Sequence, residues 1–548
     1  MLRSLRSVMV SCLALLLVWA FVVGVGAATK VPTVRFLLQG PGYSPMQYET
    51  GLMFKENLEA LGLDIDLWVN SELSTYYNEV KIARDWGIAA YANVARPERL
   101  DPDAILYSMF HSSGAVENGN NVGRYVSPIY DALLEAQRTA IDPEKRLPLV
   151  WACNQQLAVD VPAIPLYHLS GTYAYNIDVF KNWVPMIGLG AYNTWNMVTV
   201  EPVDPSVDTF KIGNTAELET LNPLASTLFT VIQNLDLIYD TLFKIAPDAS
   251  VKPWAATSFE VVNDTTIKVN LREGMTFHDG VPVTAEHVAF SYEYCKEWKL
   301  PPFGAPYLVP IESIEVEDDY TFVFHLSYPY APFSYLALTQ IPIIPKHIWE
   351  NVVTEQGLDD PTQYPNFNPV GSGPFKFVMH VRDEVFKLER FEGHHHEPKV
   401  KFYEHIPYAS EEVAFQAVRT GEVYTTVYKM LAATAEVAKT LDILEVVQVP
   451  DYGVRYYWFN QEVAPFDDVA FRKAICHALD WDYIEQKSLG GYGERGSGFT
   501  APANAAWHWP GQDAFRDREF SFDMELARVL LEKAGYSWNA QGKLMMPE

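Results

Sequence analysis

Three short stretches decide the fold class: TVRFLL at 33–38, MQYETGLMFKENLEAL at 46–61 and LDIDLWV at 63–69. The first and third are apolar-rich runs of strand length, and the second repeats its apolar residues at helical spacing. A strand, a helix and a strand joined by short connections mark a parallel α/β sheet. The alternation continues outward. Residues 128–139 and 142–160 read as helices, the second opening with Asp142-Pro143-Glu144, a capping residue followed by Pro at the first helical position. A Glu/Pro/Asp stretch between Val198 and Pro205 reads as a linker. Beyond it a new strand opens at 209–214, and Pro/Gly-rich turns then separate short strands such as 266–271 and 320–326.

Composition sets further bounds. The chain has 548 residues, 49% hydrophobic and 14% aromatic, enough for a large core and more than one domain. Its formal net charge of −28 argues against nucleic acid and anionic lipid as partners. Arg3 and Arg6 precede an apolar run from Val8 to Val25, and Gly26, Ala27 and Ala28 follow it. A basic start, an apolar middle and a small-residue exit make a secretory signal over residues 1–28; a retained membrane anchor is the alternative. No Cys stands at the exit to carry a lipid. The expectation is a periplasmic or extracellular protein. Cys153, Cys295 and Cys476 lie far apart in apolar stretches without a CxxC pair and read as small buried side chains.

Several motifs, taken in order, resemble a known family. Phe277-His278-Asp279-Gly280, then Pro282 to Glu286, then Asn368-Pro369-Val370-Gly371-Ser372-Gly373-Pro374-Phe375 are followed by Phe459-Asn460, Pro465-Phe466-Asp467-Asp468, Arg472 to Ile475 and Ala478-Leu479-Asp480. This series resembles the dipeptide- and oligopeptide-binding proteins of ABC importers, the bacterial extracellular solute-binding proteins of family 5. His287 stands where the family usually has Asp, and Gly393-His394-His395-His396 replaces a usual Tyr-Trp. The resemblance implies an α/β, two-lobed, periplasmic-binding-protein-like fold of class II type with an extra subdomain, closing by a hinge on a ligand held between the lobes.

The order of the blocks departs from the family. Asp101-Pro102-Asp103, 107–113, 120–127, 142–146 and 162–167 resemble the family's closing motifs, yet they come first. A circular permutation is expected, with 543–546 leading into 34–38. The implied division places 29–168 with 462–548 in one lobe, 169–226 with 344–461 in the second, and 227–343 in the extra subdomain.

The resemblance also implies the function. An extracytoplasmic binding protein is expected that captures oligopeptides or similar extended solutes and delivers them to an ABC permease and ATPase. An oligosaccharide carrier or a sensory protein of the same fold stands as the alternative. No cofactor is expected, and the protein should be a monomer. No enzyme is expected, since the chain has no GxSxG elbow and no HExxH. Gly491 to Gly496 matches GxGxxG but follows a helical stretch, so it reads as a turn. Three successive His at 394–396 are expected to diverge around a loop rather than share one ion.

Peptide-binding members hold the peptide's amino group with an Asp in the segment corresponding to 85–101. Here Arg96 falls at that place and Asn93 where an aromatic is common. Arg96 would favour a carboxylate or sugar hydroxyls, and an exposed loop cation is the other reading. Asp101 is a candidate for the amine, or a residue that shapes its turn. Tyr91 is a further candidate, with Trp68 and Trp195. Tyr456, Tyr457 and Trp458 lie on a strand whose alternate side chains would face a ligand. By the family correspondence, Ser226, Thr227 and Leu228 would offer backbone groups to an extended ligand.

Overall fold

A computed structural model describes residues 29–226, 228–300, 307–427 and 429–548. The signal at 1–28 lies outside the described residues, as does Thr227. Among the described residues no helix is long and apolar enough to cross a membrane.

The chain forms two compact units. The first holds residues up to Ala90 together with 458–483 and 516–548; the second holds 91–457 and 484–515. In the first unit, strand β1 (Val34–Gln39), helix α1 (Pro45–Ala60) and strand β2 (Ile65–Asn70) realise the expected strand–helix–strand unit. β1 pairs in parallel with β2 from Val34↔Ile65 to Gln39↔Asn70, and with β3 (Ile88–Asn93) at Phe36↔Ile88 and Leu37↔Ala89. α1 buries Gln47, Thr50, Gly51, Phe54 and Leu58, one stripe of a 3.6-residue repeat. It lies so close to β1 that a Cβ at Gly51 would come within 2.4 Å of Leu38 Cδ1. Any larger side chain there would have to displace the buried Leu38 side chain.

The same unit draws together the two ends of the described chain. The Val31 N–H donates to the Leu544 carbonyl at 2.9 Å, the Met546 N–H to Thr29 at 2.7 Å, and the Leu544 N–H to Gly62 at 3.0 Å. Trp538 Nε1 donates to the Leu61 carbonyl at 2.6 Å. Asp64 sits between Lys30 at 2.6 Å and Lys543 at 2.5 Å, and these two hydrogen bonds hold its carboxyl down to about 2. Rings of Phe459, Phe466, Phe471 and Tyr536 follow one another at 5.4–5.8 Å through this unit's core.

The second unit is organised by one long strand, Ala163–Asn176. It pairs antiparallel with Leu444–Pro450, with Gly493–Arg495 and, through Tyr175, with Thr425. Thr425–Thr426 continues in parallel onto Thr209–Asn214, which pairs in turn with Phe402–Pro407. A separate four-stranded antiparallel sheet, ordered 256–263, 266–271, 321–326 and 311–318, falls within the expected extra subdomain. Phe180, Phe210, Ile238, Phe322 and Tyr403 belong to one continuous core shared by these elements.

The two units do not follow the same boundaries as the lobes that the resemblance implies. Residues 91–168 group with the second unit, not with 29–90, and 484–515 leaves the first unit as well. The cause is a set of contacts that tie 101–146 to the 330 region. Arg138 lies over the Tyr330 ring at 5.1 Å, and its carbonyl accepts the Ala331 N–H at 2.7 Å. The three Cys are buried and free; burial pushes the Cys153 and Cys295 thiols up to about 12.

Candidate functional site

The segment leaving β3 carries the residue on which the sequence reading placed most weight. Arg96 is in extended backbone (φ −142°, ψ 139°) and is followed by a tight turn from Pro97 to Leu100 that starts on proline. The turn aims the Arg96 side chain inward, leaving it 18% exposed. Its guanidinium lies 5.7 Å from the centre of the Phe229 ring and 3.8 Å from Glu98 Oε1. Burial pushes the guanidinium below its ordinary pKa, and the Glu98 charge offsets part of that.

Arg96 lines a cavity of about 70 Å³ within the second unit, with Trp195, Phe229, Gln233, Asp236 and Lys244 around it. Trp195 Nε1 donates to the Ile245 carbonyl at 2.9 Å, which fixes the ring as a wall. Gln233 is anchored by its Nε2 on the Tyr192 carbonyl at 3.1 Å. Lys244, almost wholly buried, faces Asp236 at 3.5 Å. With Glu98 also on the wall, two cations stand against two carboxylates. Such a lining offers a partner to an ammonium group and to a carboxylate, and aromatic faces to the apolar parts of a ligand.

The other expected contacts fall elsewhere. Asp101 is fully buried, and its two carboxylate oxygens each accept from Arg146 at 2.7 Å, so it serves the interior. Tyr91 and Tyr456 are buried with ring centres 5.7 Å apart, and Tyr456 packs on Phe499 at 5.3 Å. Tyr456, Tyr457 and Trp458 are all fully buried, so alternation along that strand leaves none on an open face. Asn93 is buried beside Gly453, where a Cβ would come within 2.4 Å of the Asn93 carbonyl oxygen. Ser226 is buried and its Oγ accepts the Leu228 N–H at 3.1 Å; Leu228 itself is exposed and precedes helix Phe229–Leu235. Of the residues expected to bind ligand, Arg96 reaches the cavity, joined by Trp195 from the further aromatics. Trp68 belongs to the first unit, its ring 5.9 Å from Tyr76.

Phe229, Gln233, Asp236 and Lys244 were not foreseen. Phe229 and Gln233 arrive on one short helix, Asp236 at its C-terminal cap and Lys244 on the strand Phe243–Ile245, all more than a hundred residues from Arg96. No motif marked them, although Phe229 directly follows the flagged 226–228 segment.

The chain resembles known proteins over a large part of its length. It is 29% identical over 334 residues to the oligopeptide-binding protein AppA of Bacillus subtilis, covering 59% of each chain. It is 26% identical over 318 residues to the dipeptide-binding protein of Escherichia coli, covering 54% of this chain and 56% of the relative. The solved structure of AppA in complex with a nonapeptide matches with a TM-score of 0.50 and 23% identity, over 62% of this chain and 66% of that one. A periplasmic oligopeptide-binding protein from Thermotoga maritima matches at 0.50 and 22%, over 61% and 65%. These two establish the fold. The chain spans about 60% of the length of the curated relatives that it matches. The profile of bacterial extracellular solute-binding proteins, family 5 Middle, matches residues 250–546, more than half of the chain, and the protein therefore belongs to that family.

Proposed function

We propose that this protein is the solute-capturing component of an ABC import system, taking oligopeptides or similarly extended solutes outside the cytoplasm and handing them to a membrane permease. Its family membership, and curated relatives that carry the names oligopeptide- and dipeptide-binding protein, support this reading. The observation that carries it to particular atoms is the charge-balanced cavity lined by Arg96, Lys244, Asp236 and Glu98. Arg96 receives a ligand carboxylate, and Asp236 or Glu98 receives an ammonium group. Residues 1–28 act as the secretory signal, and N-terminal sequencing of exported protein should begin near Thr29.

The test is a thermal-shift screen against peptide pools and oligosaccharides, followed by titration calorimetry. A ligand that binds the folded state raises the melting temperature by mass action. Peptides should raise it. A response to oligosaccharides alone would select the sugar carrier, and no response to either class would remove the transport reading. Arg96→Ala should weaken a carboxylate-bearing ligand by about 1.5–3 kcal/mol, the worth of a charge-assisted hydrogen bond. Unchanged binding would show that Arg96 makes no ligand contact.

We also infer that the chain is a circular permutation of the family order, with 227–343 as the extra subdomain. The hydrogen bonds between 29–31 and 544–546 support this, as does strand 163–176, whose partners at 425, 444–450 and 493–495 all come from the later segment. Residues 29–205 and 206–548 expressed apart should each fail to fold and should recover structure when combined. Independent cooperative unfolding of each piece would overturn the permutation.

A further inference from the structure

A second polar cluster lies inside the second unit, and it shares no residue with the Arg96 cavity. Asp240 is fully buried. Its Oδ1 accepts Trp254 Nε1–H at 2.6 Å and stands 3.2 Å from His394 Nε2, while its Oδ2 has no hydrogen-bond partner. His394 and His395 come from the turn that follows strand Val385–Arg390, where Gly393 adopts φ +85°. The two imidazoles do not diverge as the sequence suggested: their ring centres are 4.0 Å apart and their planes 38° apart. Both ring nitrogens of His395 are shielded from solvent and have no hydrogen-bond partner. One ligand atom from each of Asp240, His394 and His395 lies within 4.8 Å of the other two.

Orphaned buried polar atoms are rare in native proteins, and a bound ion is among their recognised explanations. A tetrahedral ion with bonds of about 2.0–2.2 Å holds its ligand atoms roughly 3.3 Å apart. The Asp240–His394 pair already has that span, and the His395 ligand atom lies within 4.8 Å of both. We propose that Asp240, His394 and His395 bind a divalent transition-metal ion of the zinc class, which ties the 391–398 turn to the segment at 240.

The donor set is chemically apt. Two imidazoles and one carboxylate suit zinc and its neighbours rather than calcium or magnesium, which prefer all-oxygen sites. Neither ring nitrogen of His395 is engaged in a hydrogen bond, which leaves a lone pair for an ion. Asp240 is held in place by the Trp254 N–H on its Oδ1, and its Oδ2 is left open to an ion. His394 has two contacts in this arrangement, Asp240 at Nε2 and the His396 N–H at Nδ1, 3.1 Å away. The ion takes over one of them. Arg272, whose charge acts on His395, and Lys244, whose charge acts on His396, oppose a dication and weaken the site without filling its ligand positions.

The test uses the untagged full chain after chelator treatment. Calorimetric titration with Zn²⁺ should show one equivalent bound, and Co²⁺ in its place should give the intense visible bands of tetrahedral coordination. Asp240→Asn and His395→Ala should each weaken Zn²⁺ by at least about tenfold, the loss that even outer-shell partners cause. Zn²⁺ should raise the melting temperature of the parent and leave that of His395→Ala unmoved. His395 is half-buried, so that variant keeps the test open if Asp240→Asn fails to fold. Absence of saturable Zn²⁺ binding, or binding of undiminished affinity in folded His395→Ala, would overturn the site.

Discussion

Two of the places where the second unit buries charge, around Asp101 and around Asp240, meet it in opposite ways. At the first, two carboxylates face two guanidinium groups. Arg146 binds Asp101 through both terminal nitrogens at 2.7 Å and Gln137 through Nε at 3.0 Å. Gln137 passes a hydrogen bond of 2.6 Å to Asp103, and Arg138 stands 3.2 Å from the same carboxylate. Aromatic faces close the cluster, with Tyr107 3.6 Å from Arg138 and Trp507 4.8 Å from Arg146. At the second, one carboxylate faces the imidazoles of His394 and His395, and one of its oxygens has no hydrogen-bond partner. The first cluster sets a guanidinium against each carboxylate, although Arg138 Nε meets Asp103 as an ion pair and not as a hydrogen bond. The second leaves Asp240 Oδ2 and both ring nitrogens of His395 without hydrogen-bond partners, and those open positions separate a ligand site from a strut.

The largest effect should come from breaking the joint. Arg146→Ala leaves Asp101 buried beside an empty space and should cost about 3–5 kcal/mol in urea unfolding. Replacing both partners together, Asp101→Leu with Arg146→Met, should cost far less, because no charge is left behind. If the single substitution loses under about 1 kcal/mol, the contrast between the clusters fails.

Acid should act next. Burial pushes the imidazoles of His168 and His405 down to about 4, against an unfolded value near 6.5. The unfolded chain therefore binds more protons below about pH 6.5. The stability that these groups contribute is complete above that pH and is lost progressively down to about 4, by up to roughly 1.4 kcal/mol per pH unit per group. Asp103 runs the other way: burial, opposed by Arg138, raises its carboxyl to about 6, so protonation favours the folded state as the pH falls from about 6 to its ordinary 3.8. Urea midpoints at pH 7, 5.5 and 4.5 should decline, since these two imidazoles, with His278 also pushed down to about 4 by burial, outweigh the Asp103 carboxyl. His168→Gln should flatten the decline, and a level profile in the parent would contradict it.

The smallest effect sharpens the other cluster. In chelator-treated protein, His395→Leu exchanges an orphaned imidazole for an apolar side chain and should alter stability by less than about 1 kcal/mol in either direction. A loss of more than about 2 kcal/mol would mean that the ring already has a strong partner in the metal-free state.

Local pattern carried the sequence reading a long way. Helix Pro128–Thr139 and strands Thr209–Asn214 and Thr266–Leu271 have the boundaries that periodicity and turn residues indicated. Asp142 caps its helix by accepting the Glu144 N–H at 3.0 Å, as the Asp-Pro-Glu start implies. Each of these is settled within a few residues. The sites are not. Arg96 meets Phe229, and Asp240 meets His394 across 154 positions, through a fold that one sequence without relatives cannot register. Strand alternation misled at Tyr456 to Trp458 because that strand is covered on both faces, and period two then says nothing about exposure.

Strand 163–176 has a consequence in time. Its partner at 425 lies about 250 residues downstream, and those at 444–450 and 493–495 lie further still. Synthesis at about 5–20 residues per second delivers that partner roughly 12–50 s after the strand itself. For that interval Leu166, Tyr167, Tyr173 and Tyr175, all buried in the finished protein, are made but unpaired. An apolar strand with open edges invites pairing with other chains. Slowing translation between residues 176 and 425 should therefore lower the soluble yield without altering the stability of what folds.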